Sequence, residues 1–201
     1  MAEVHDYDVR ASRRVFAGHV IALRSDDVAM PGGGLSTRDV VEHPGAVAVV
    51  ALDDAGRVVL VNQYRHPLKE RLWELPAGLL DMAGESAAAA AARELREEAG
   101  LEAAEWSVLV DMLTSPGMTD EAIRIYLARR LRFVGRPAGD DEEAEITVEH
   151  VDLDEAVAQV LSGDLRNGAA CVGILAAAVA RSHGFAGLRP AAAAWPDRSG
   201  R

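Results

Sequence analysis

The chain has 201 residues, of which 49% are hydrophobic and 26% charged, and its formal net charge is −11. These proportions are typical of a folded globular protein and exclude a disordered or fibrous chain. The single cysteine, Cys171, excludes an intrachain disulfide and a cysteine-based metal site, and the acidic balance argues against broad binding to nucleic acid or anionic membranes.

The first third of the chain predicts β-structure. Short β-prone runs occupy residues 15–23, 27–30, 36–42 and 58–64. The continuous apolar run at 45–52 is typical of a strand buried on both faces, and the turn at 53–56 predicts a hairpin. We expect residues 1–44 to form a small N-terminal antiparallel β subdomain.

From residue 72 onward, strand patterns and helix patterns are mixed. Further strands are predicted at 72–75, 106–113, 122–127 and 146–151, and helices at 86–99, 154–161 and 167–182. A mixed sheet with helices packed on it, an α/β or α+β fold, is the natural arrangement for the main domain at 45–185. The tail at 186–201 is rich in alanine and proline and is expected to be loose.

Two features bear on the location of the protein. The N-terminus is acidic and lacks the apolar segment of a secretory signal. The longest uncharged apolar run, at 168–180, is shorter than the about 20 residues that a membrane span needs. We therefore expect a cytoplasmic protein that binds neither membrane nor nucleic acid.

The predicted helix at 86–99 carries a cluster of acidic side chains. Glu97 and Glu98 follow Glu94 by three and four residues, so the three carboxylates share one face near the helix C-terminus. They repel one another, the helix dipole disfavours them, and a hard divalent cation would compensate. The alternative is a solvated charged face on which Arg93 pairs with Glu97. In both interpretations the acids are expected to point outward.

This helix and the loop before it resemble the Nudix box of the Nudix hydrolases, G-x5-E-x7-R-E-U-x-E-E-x-G-U, in which U is a bulky aliphatic residue. Gly78, Glu85 and the run from Arg93 to Leu101 fit the pattern, except that six residues separate Gly78 from Glu85. The resemblance implies a Nudix-type α/β/α sandwich with a mixed β-sheet. It extends to segments that look like the ADP-ribose pyrophosphatase branch, at 45–47, 63–65, 73–78 and 115–117.

The resemblance also implies the metal-binding groups. Glu94 and Glu98 match the principal metal-binding glutamates, and Glu97 matches a third acid that binds metal directly or through water and counts among the catalytic residues. The backbone carbonyl of Ala77 matches a further ligand. Mg²⁺ is the implied cofactor, and Mn²⁺ suits the same oxygen ligands.

The flanking motifs imply the substrate-binding residues and the reaction. Arg65 matches an arginine that contacts the substrate diphosphate. The other implied substrate-binding residues are Glu74, Pro116 and Gly117. In this branch the general base lies on a later loop, and the acidic run at 139–145 predicts Glu143, with Glu142 as the substitute. The implied reaction is hydrolysis of the diphosphate bond of ADP-ribose to AMP and ribose 5-phosphate, in a homodimer that the N-terminal segment helps to build.

Two alternatives remain at this point. A Nudix pyrophosphatase could act on another nucleoside diphosphate sugar or on NADH, because side-chain identity alone rarely fixes the nucleobase. A non-catalytic nucleotide-sugar sensor on the same scaffold would need damaged acids, whereas Glu94, Glu97 and Glu98 are intact.

Overall fold

A computed structural model describes residues 6–137 and 145–195 of the chain. The strands are β1 (Val9–Ala17), β2 (Ala22–Ala29), β3 (Leu35–Glu42), β4 (Ala46–Ala51), β5 (Arg57–Arg65), β6 (Glu70–Glu74), β7 (Ala77–Leu79), β8 (Leu101–Leu113), β9 (Ala122–Phe133), β10 (Thr147–Asp152) and β11 (Arg189–Pro190). The helices are α1 (Ala87–Ala99), α2 (Leu153–Ser162) and α3 (Gly168–Ser182). Two compact units result: the first comprises 1–45 and 113–121, and the second comprises 46–112 and 122–201.

The first unit contains an antiparallel sheet with the strand order β1-β2-β3, which confirms the predicted N-terminal β-structure. A buried carboxylate, Asp26, lies on the central strand and accepts hydrogen bonds from Ser12 Oγ at 2.6 Å and from Arg24 Nε at 2.9 Å. These two bonds hold the pKa of Asp26 below its ordinary value, with the larger effect from Ser12. The segment 113–121 joins this unit through backbone hydrogen bonds to β3.

The second unit has helices on both faces of a mixed sheet. Its five strands lie in the order β11-β8-β9-β4-β7, with β4 parallel to β9 and antiparallel to β7. Successive residues of β4 point to opposite faces, so Val47 and Val49 pack with α1 whereas Ala48 and Val50 pack with α2 and α3. A second sheet, β10-β5-β6, belongs to the same unit. This confirms the predicted α/β/α sandwich and the strand buried on both faces.

Helix α1 begins and ends where the sequence predicts. Ser86 caps its N-terminus by accepting a hydrogen bond from the backbone N–H of Ala89. Gly100 closes it in the left-handed conformation, with φ 67° and ψ 29°, and donates its N–H to the last turn. A Cβ on Gly100 would also lie 2.8 Å from the backbone nitrogen of Arg136, so both conformation and space require glycine there.

Some strands differ from their predicted bounds. The single run predicted at 15–23 is divided between β1 and β2, because the chain turns where the Gly18 N–H donates to the Ile21 carbonyl at 2.8 Å. β8 and β9 are longer than predicted, since charged residues interrupt the apolar pattern at their ends. β7 is three residues long, too short to show a periodic pattern.

The C-terminal segment is held against the sheet by a buried arginine. Arg124 of β9 is 2% exposed and donates to the carbonyls of Ala193 at 2.7 Å and Ala194 at 2.9 Å. Its guanidinium lies 4.7 Å from the centroid of the Trp195 ring. Residues 186–195, the described part of the segment predicted to be a loose tail, are therefore held in place at Ala193 and Ala194, because their carbonyls accept hydrogen bonds from the buried Arg124.

Asp111 provides the counter-charge for Arg124. It accepts hydrogen bonds from Arg124 Nε at 2.7 Å and Nη2 at 3.0 Å, and from Arg189 Nη1 at 2.7 Å. Burial raises the pKa of Asp111, but the hydrogen bonds and charges of the two arginines outweigh burial and hold the pKa below its ordinary value. The ionised carboxylate therefore stabilises the fold above the unfolded-state pKa of about 3.9, and this contribution is lost as the pH falls through the lowered pKa.

We expect Asp111→Asn to lower the free energy of unfolding at pH 7 by about 3 kcal/mol, because it leaves the Arg124 guanidinium buried without its counter-charge. The difference from wild type should narrow below about pH 4, where the unfolded chain begins to bind the proton, and should disappear once the pH falls below the lowered pKa of Asp111 in the folded protein. Urea unfolding at a series of pH values measures both effects. Asp54→Asn, at an exposed turn, is the control and should change stability by under about 0.5 kcal/mol. A loss that did not depend on pH would contradict the electrostatic explanation.

None of the helices in the described ranges is long and apolar enough to span a bilayer. The longest, α3, has 15 residues.

Candidate active site

Glu94 lies directly over the backbone of Gly78. Glu94 is on α1 and is 9% exposed, and Gly78 is the middle residue of β7. A Cβ built on Gly78 would lie 1.9 Å from Glu94 Oε1 and 2.6 Å from its Cγ, so any side chain at this position would displace the carboxylate. The absence of a side chain at Gly78 thus makes the space that Glu94 occupies.

Glu98 is held one turn further along α1. Its Oε2 accepts the backbone N–H of Ala77 at 2.9 Å, and its Oε1 accepts Nε2 of Gln63 at 3.1 Å. Burial raises the pKa of Glu98 to about 8, and the negative charge of Glu94 adds to this effect. The N–H groups of Ala77 and Gln63 and the charge of Arg65 act in the opposite direction. The site therefore holds the carboxyl groups of Glu94 and Glu98 close together in a region from which most water is excluded.

Arg93 connects the carboxylates of this region. Its Nε and Nη2 form a bidentate pair with Glu85, at 3.0 and 3.1 Å. Its Nη1 donates to Glu94 at 2.6 Å and to Glu97 at 2.9 Å. The hydrogen bonds raise the pKa of Arg93 further above its ordinary value, with Glu85 as the largest cause, so the guanidinium stays charged.

The prediction that the acids point outward is wrong for two of the three. Glu94 and Glu98 are buried, at 9% and 5% exposure, and only the Glu97 side chain is substantially open, at 35%. β7 lies against this part of α1, which the short sequence of β7 gave no means of predicting. The interpretation as a simple solvated face is therefore excluded, because a solvated face does not bury its carboxylates.

Arg65 and Glu74 form an ion pair beside this cluster. Arg65 Nε donates to Glu74 Oε1 at 2.8 Å and Nη2 donates to Oε2 at 2.7 Å, while Glu74 is only 3% exposed. The antiparallel pairing of β5 with β6 brings these two strands side by side. Glu74 therefore fixes the plane of the Arg65 guanidinium.

A divalent cation fits this donor set. Glu85, Glu94 and Glu97 surround the one positive charge of Arg93, Glu98 adds a fourth carboxyl group, and carboxylate oxygens are the ligands that hard cations prefer. Within the described ranges, no three acidic, histidine or cysteine side chains converge on one point as they stand. The Arg93 guanidinium contacts two of the candidate ligands, Glu94 and Glu97, in this arrangement.

The other predicted site residues lie elsewhere in the chain. Pro116 and Gly117 are exposed residues of a turn in the first unit, closed by the Met118 N–H bonding to the Ser115 carbonyl at 2.9 Å. Glu142 and Glu143 lie outside the described residues. Ala77, Glu94 and Glu98 are brought together by the packing of α1 on β7, as described above.

Sequence reasoning missed Gln63. The residue stood within the matched segment at 63–65, but only Arg65 was assigned a role. Alternation along a strand was the available signal, because residues 63 and 65 of β5 must point to the same face.

Comparisons with known proteins identify the family. The NUDIX domain family model matches residues 42–170. An ADP-ribose pyrophosphatase of Mycobacterium tuberculosis (strain ATCC 25618 / H37Rv) is 52% identical over 198 residues, or 98% of this chain and 95% of that protein. A methanol dehydrogenase activator of Bacillus methanolicus is 40% identical over 157 residues, or 78% and 84%. A crystal structure of an ADP compounds hydrolase matches with a TM-score of 0.77 over 92% of this chain and 99% of that one, at 18% identity, and has the same fold.

Proposed function

Because this chain belongs to the NUDIX family, we propose that the carboxylates of α1 form the active site of a metal-dependent hydrolase of ADP-ribose. The enzyme hydrolyses the diphosphate bond and releases AMP and ribose 5-phosphate. The 52% identity to an ADP-ribose pyrophosphatase, over nearly the full length of both chains, is the observation that carries this conclusion.

Glu94, Glu97, Glu98 and the carbonyl of Ala77 would hold the metal, for which we propose Mg²⁺ or Mn²⁺. A bound divalent cation supplies positive charge at the diphosphate and lowers the pKa of a coordinated water. The support for these ligands is the burial of Glu94 and Glu98, the carboxylates that surround Arg93, and the space that Gly78 leaves for Glu94. Arg93 holds the carboxylates of Glu94 and Glu97 in place.

Arg65 is proposed to contact the substrate diphosphate, and Glu74, Pro116 and Gly117 are proposed as further substrate-binding residues. A planar guanidinium can pair with two phosphate oxygens, and its orientation decides which oxygens it meets. The buried carboxylate of Glu74 provides that orientation, and the effect of the Arg65 charge on the pKa of Glu98 supports a location close to the α1 carboxylates.

The general base is proposed to be Glu143, with Glu142 as the substitute. Support comes from the described residues on either side of this segment. Arg136 Nη1 donates to the Ile146 carbonyl at 2.7 Å, and Arg136 Nε approaches the Glu97 carbonyl at 3.4 Å, so both flanks lie beside the C-terminus of α1.

Glu143→Gln should lower kcat about a hundredfold with little change in KM, because it removes the group that accepts the proton of the attacking water. If Glu142→Gln showed this loss and Glu143→Gln did not, the base would be Glu142.

The homodimer remains a proposal, supported by the surface of the first unit. β1 is exposed along its whole length. Large apolar side chains are also exposed there: Val9, Val15, Phe16, Val20, Ile21 and Leu35. Such a surface is typical of one that is covered by a partner. Sedimentation velocity at micromolar concentration would give twice the chain mass if the proposal is correct.

Product analysis tests the proposed reaction. Purified protein with Mg²⁺ should release AMP from ADP-ribose faster than it hydrolyses ADP-glucose, GDP-mannose, NADH or a nucleoside triphosphate, and chelation of the metal should abolish the reaction. The matched control is Glu102→Gln, which changes an exposed acid outside the site and should leave the rate unchanged. Faster hydrolysis of another substrate in the panel would contradict the substrate assignment, and ligand binding without turnover would favour the sensor.

A further inference from the structure

Gln63 reaches the carboxylate cluster from a separate strand. It lies on β5, two residues before Arg65, so both side chains point to the same face of the β10-β5-β6 sheet. Its neighbour Asn62 points to the other face, where its cross-strand partner Trp73 packs with α2 and α3 in the core. Gln63 thus belongs to the α1 side of the sheet.

Each oxygen of the Glu98 carboxylate accepts one hydrogen bond. The Ala77 N–H fixes Oε2 at 2.9 Å, and Gln63 Nε2 fixes Oε1 at 3.1 Å. Two donors at different oxygens, from β7 and from β5, define both the position and the rotation of the carboxylate. Because each carboxylate oxygen has two acceptor sites, Oε1 can keep the hydrogen bond while its second lone pair faces a cation.

We propose that Gln63 is a positioning residue that orients Glu98 for metal binding; this inference rests on the metal role of Glu98 in the proposed function. A ligating carboxylate needs a hydrogen-bonding partner that fixes its direction, and loss of such a partner typically costs 10- to 100-fold in metal affinity or activity. Of the two donors to Glu98 among the residues that the structure describes, Gln63 is the one whose donor is a side chain and can be removed by substitution. Gln63 does not touch the reacting atoms in this assignment.

The test compares Gln63→Met with Asn62→Leu. Methionine preserves the length and shape of the side chain and removes the donor, and the Asn62 variant removes an amide from the opposite face of the same strand. Titration calorimetry with Mn²⁺ should show affinity lowered about 10- to 100-fold in Gln63→Met and unchanged in Asn62→Leu. Thermal unfolding of the metal-free proteins reports any loss of folding separately.

Kinetics distinguish metal positioning from a substrate contact. In Gln63→Met, the Mn²⁺ concentration needed for half-maximal rate should rise, and saturating Mn²⁺ should restore most of kcat with KM for ADP-ribose unchanged. Unchanged Mn²⁺ affinity, or a raised KM that metal does not correct, would overturn the inference.

The proposed function can fail independently of this inference. A wild-type protein that binds Mn²⁺ but does not hydrolyse ADP-ribose would contradict the proposed reaction and not this inference, since the binding comparison at Gln63 stands. A wild-type protein that binds no Mn²⁺, or a Glu98→Gln variant that binds it as tightly as wild type, would overturn the metal role and the inference together.

Discussion

Glu98→Gln is expected to reduce kcat/KM for ADP-ribose about a thousandfold while the protein stays folded. A bound metal contributes several kcal/mol of transition-state stabilisation, and about 4 kcal/mol corresponds to a thousandfold change in rate. Glutamine keeps the size of the side chain and an oxygen acceptor, but it removes the negative charge that the metal requires. Steady-state kinetics with Mg²⁺ measure the effect.

Stability should change little in the same variant. Glu98 is 5% exposed, and a buried neutral amide costs less desolvation free energy than a buried carboxylate. The amide oxygen can still accept the Ala77 N–H, so we expect the free energy of unfolding to change by no more than about 1 kcal/mol. A variant that kept wild-type activity, or one that lost activity only because it unfolded, would contradict the assignment of Glu98 as a ligand.

The sequence predicted the structure best where a single segment contains both a periodic residue pattern and the polar side chains that act on it. The helix α1, its Ser86 cap and its Gly100 terminus are local features, and the acids share a face because of helical spacing alone. The continuous apolar run of β4 likewise predicted burial on both faces of the sheet. In each case the pattern that carries the prediction lies within a few residues along the chain.

Features that depend on contacts between distant segments could not be predicted in the same way. The burial of Glu94 and Glu98 requires β7 to lie against α1, and three residues of strand give no periodicity. The packing of residues 191–195 depends on Arg124, some seventy residues earlier. No local pattern in the sequence predicts that Arg124 is buried. The role of Gln63 likewise emerges only when β5 is placed beside α1.

Gly78→Ala is expected to lower kcat/KM for ADP-ribose about a hundredfold or more, because it displaces a single carboxylate, that of Glu94. The new Cβ would lie 1.9 Å from Glu94 Oε1, a distance that no pair of non-bonded atoms tolerates, so the Glu94 side chain must move away from β7. Misplacement of a catalytic group by about 1 Å can cost a hundredfold in rate. Mn²⁺ affinity, measured by calorimetry, should fall together with the rate because Glu94 is a proposed ligand.

Stability separates this explanation from general misfolding. The atoms that the new methyl group would meet belong to the end of one side chain, Glu94, and not to the backbone, so the fold can adapt by rotating that side chain. The matched control is Gly168→Ala, at the first position of α3, where a Cβ meets nothing within 4 Å. Alanine there should raise the free energy of unfolding by about 0.4–1 kcal/mol, because it reduces the conformational freedom of the unfolded chain, and should leave the rate unchanged. If Gly78→Ala retained both the rate and the metal affinity, Glu94 would not need the position over β7, and its assignment as a ligand would be wrong.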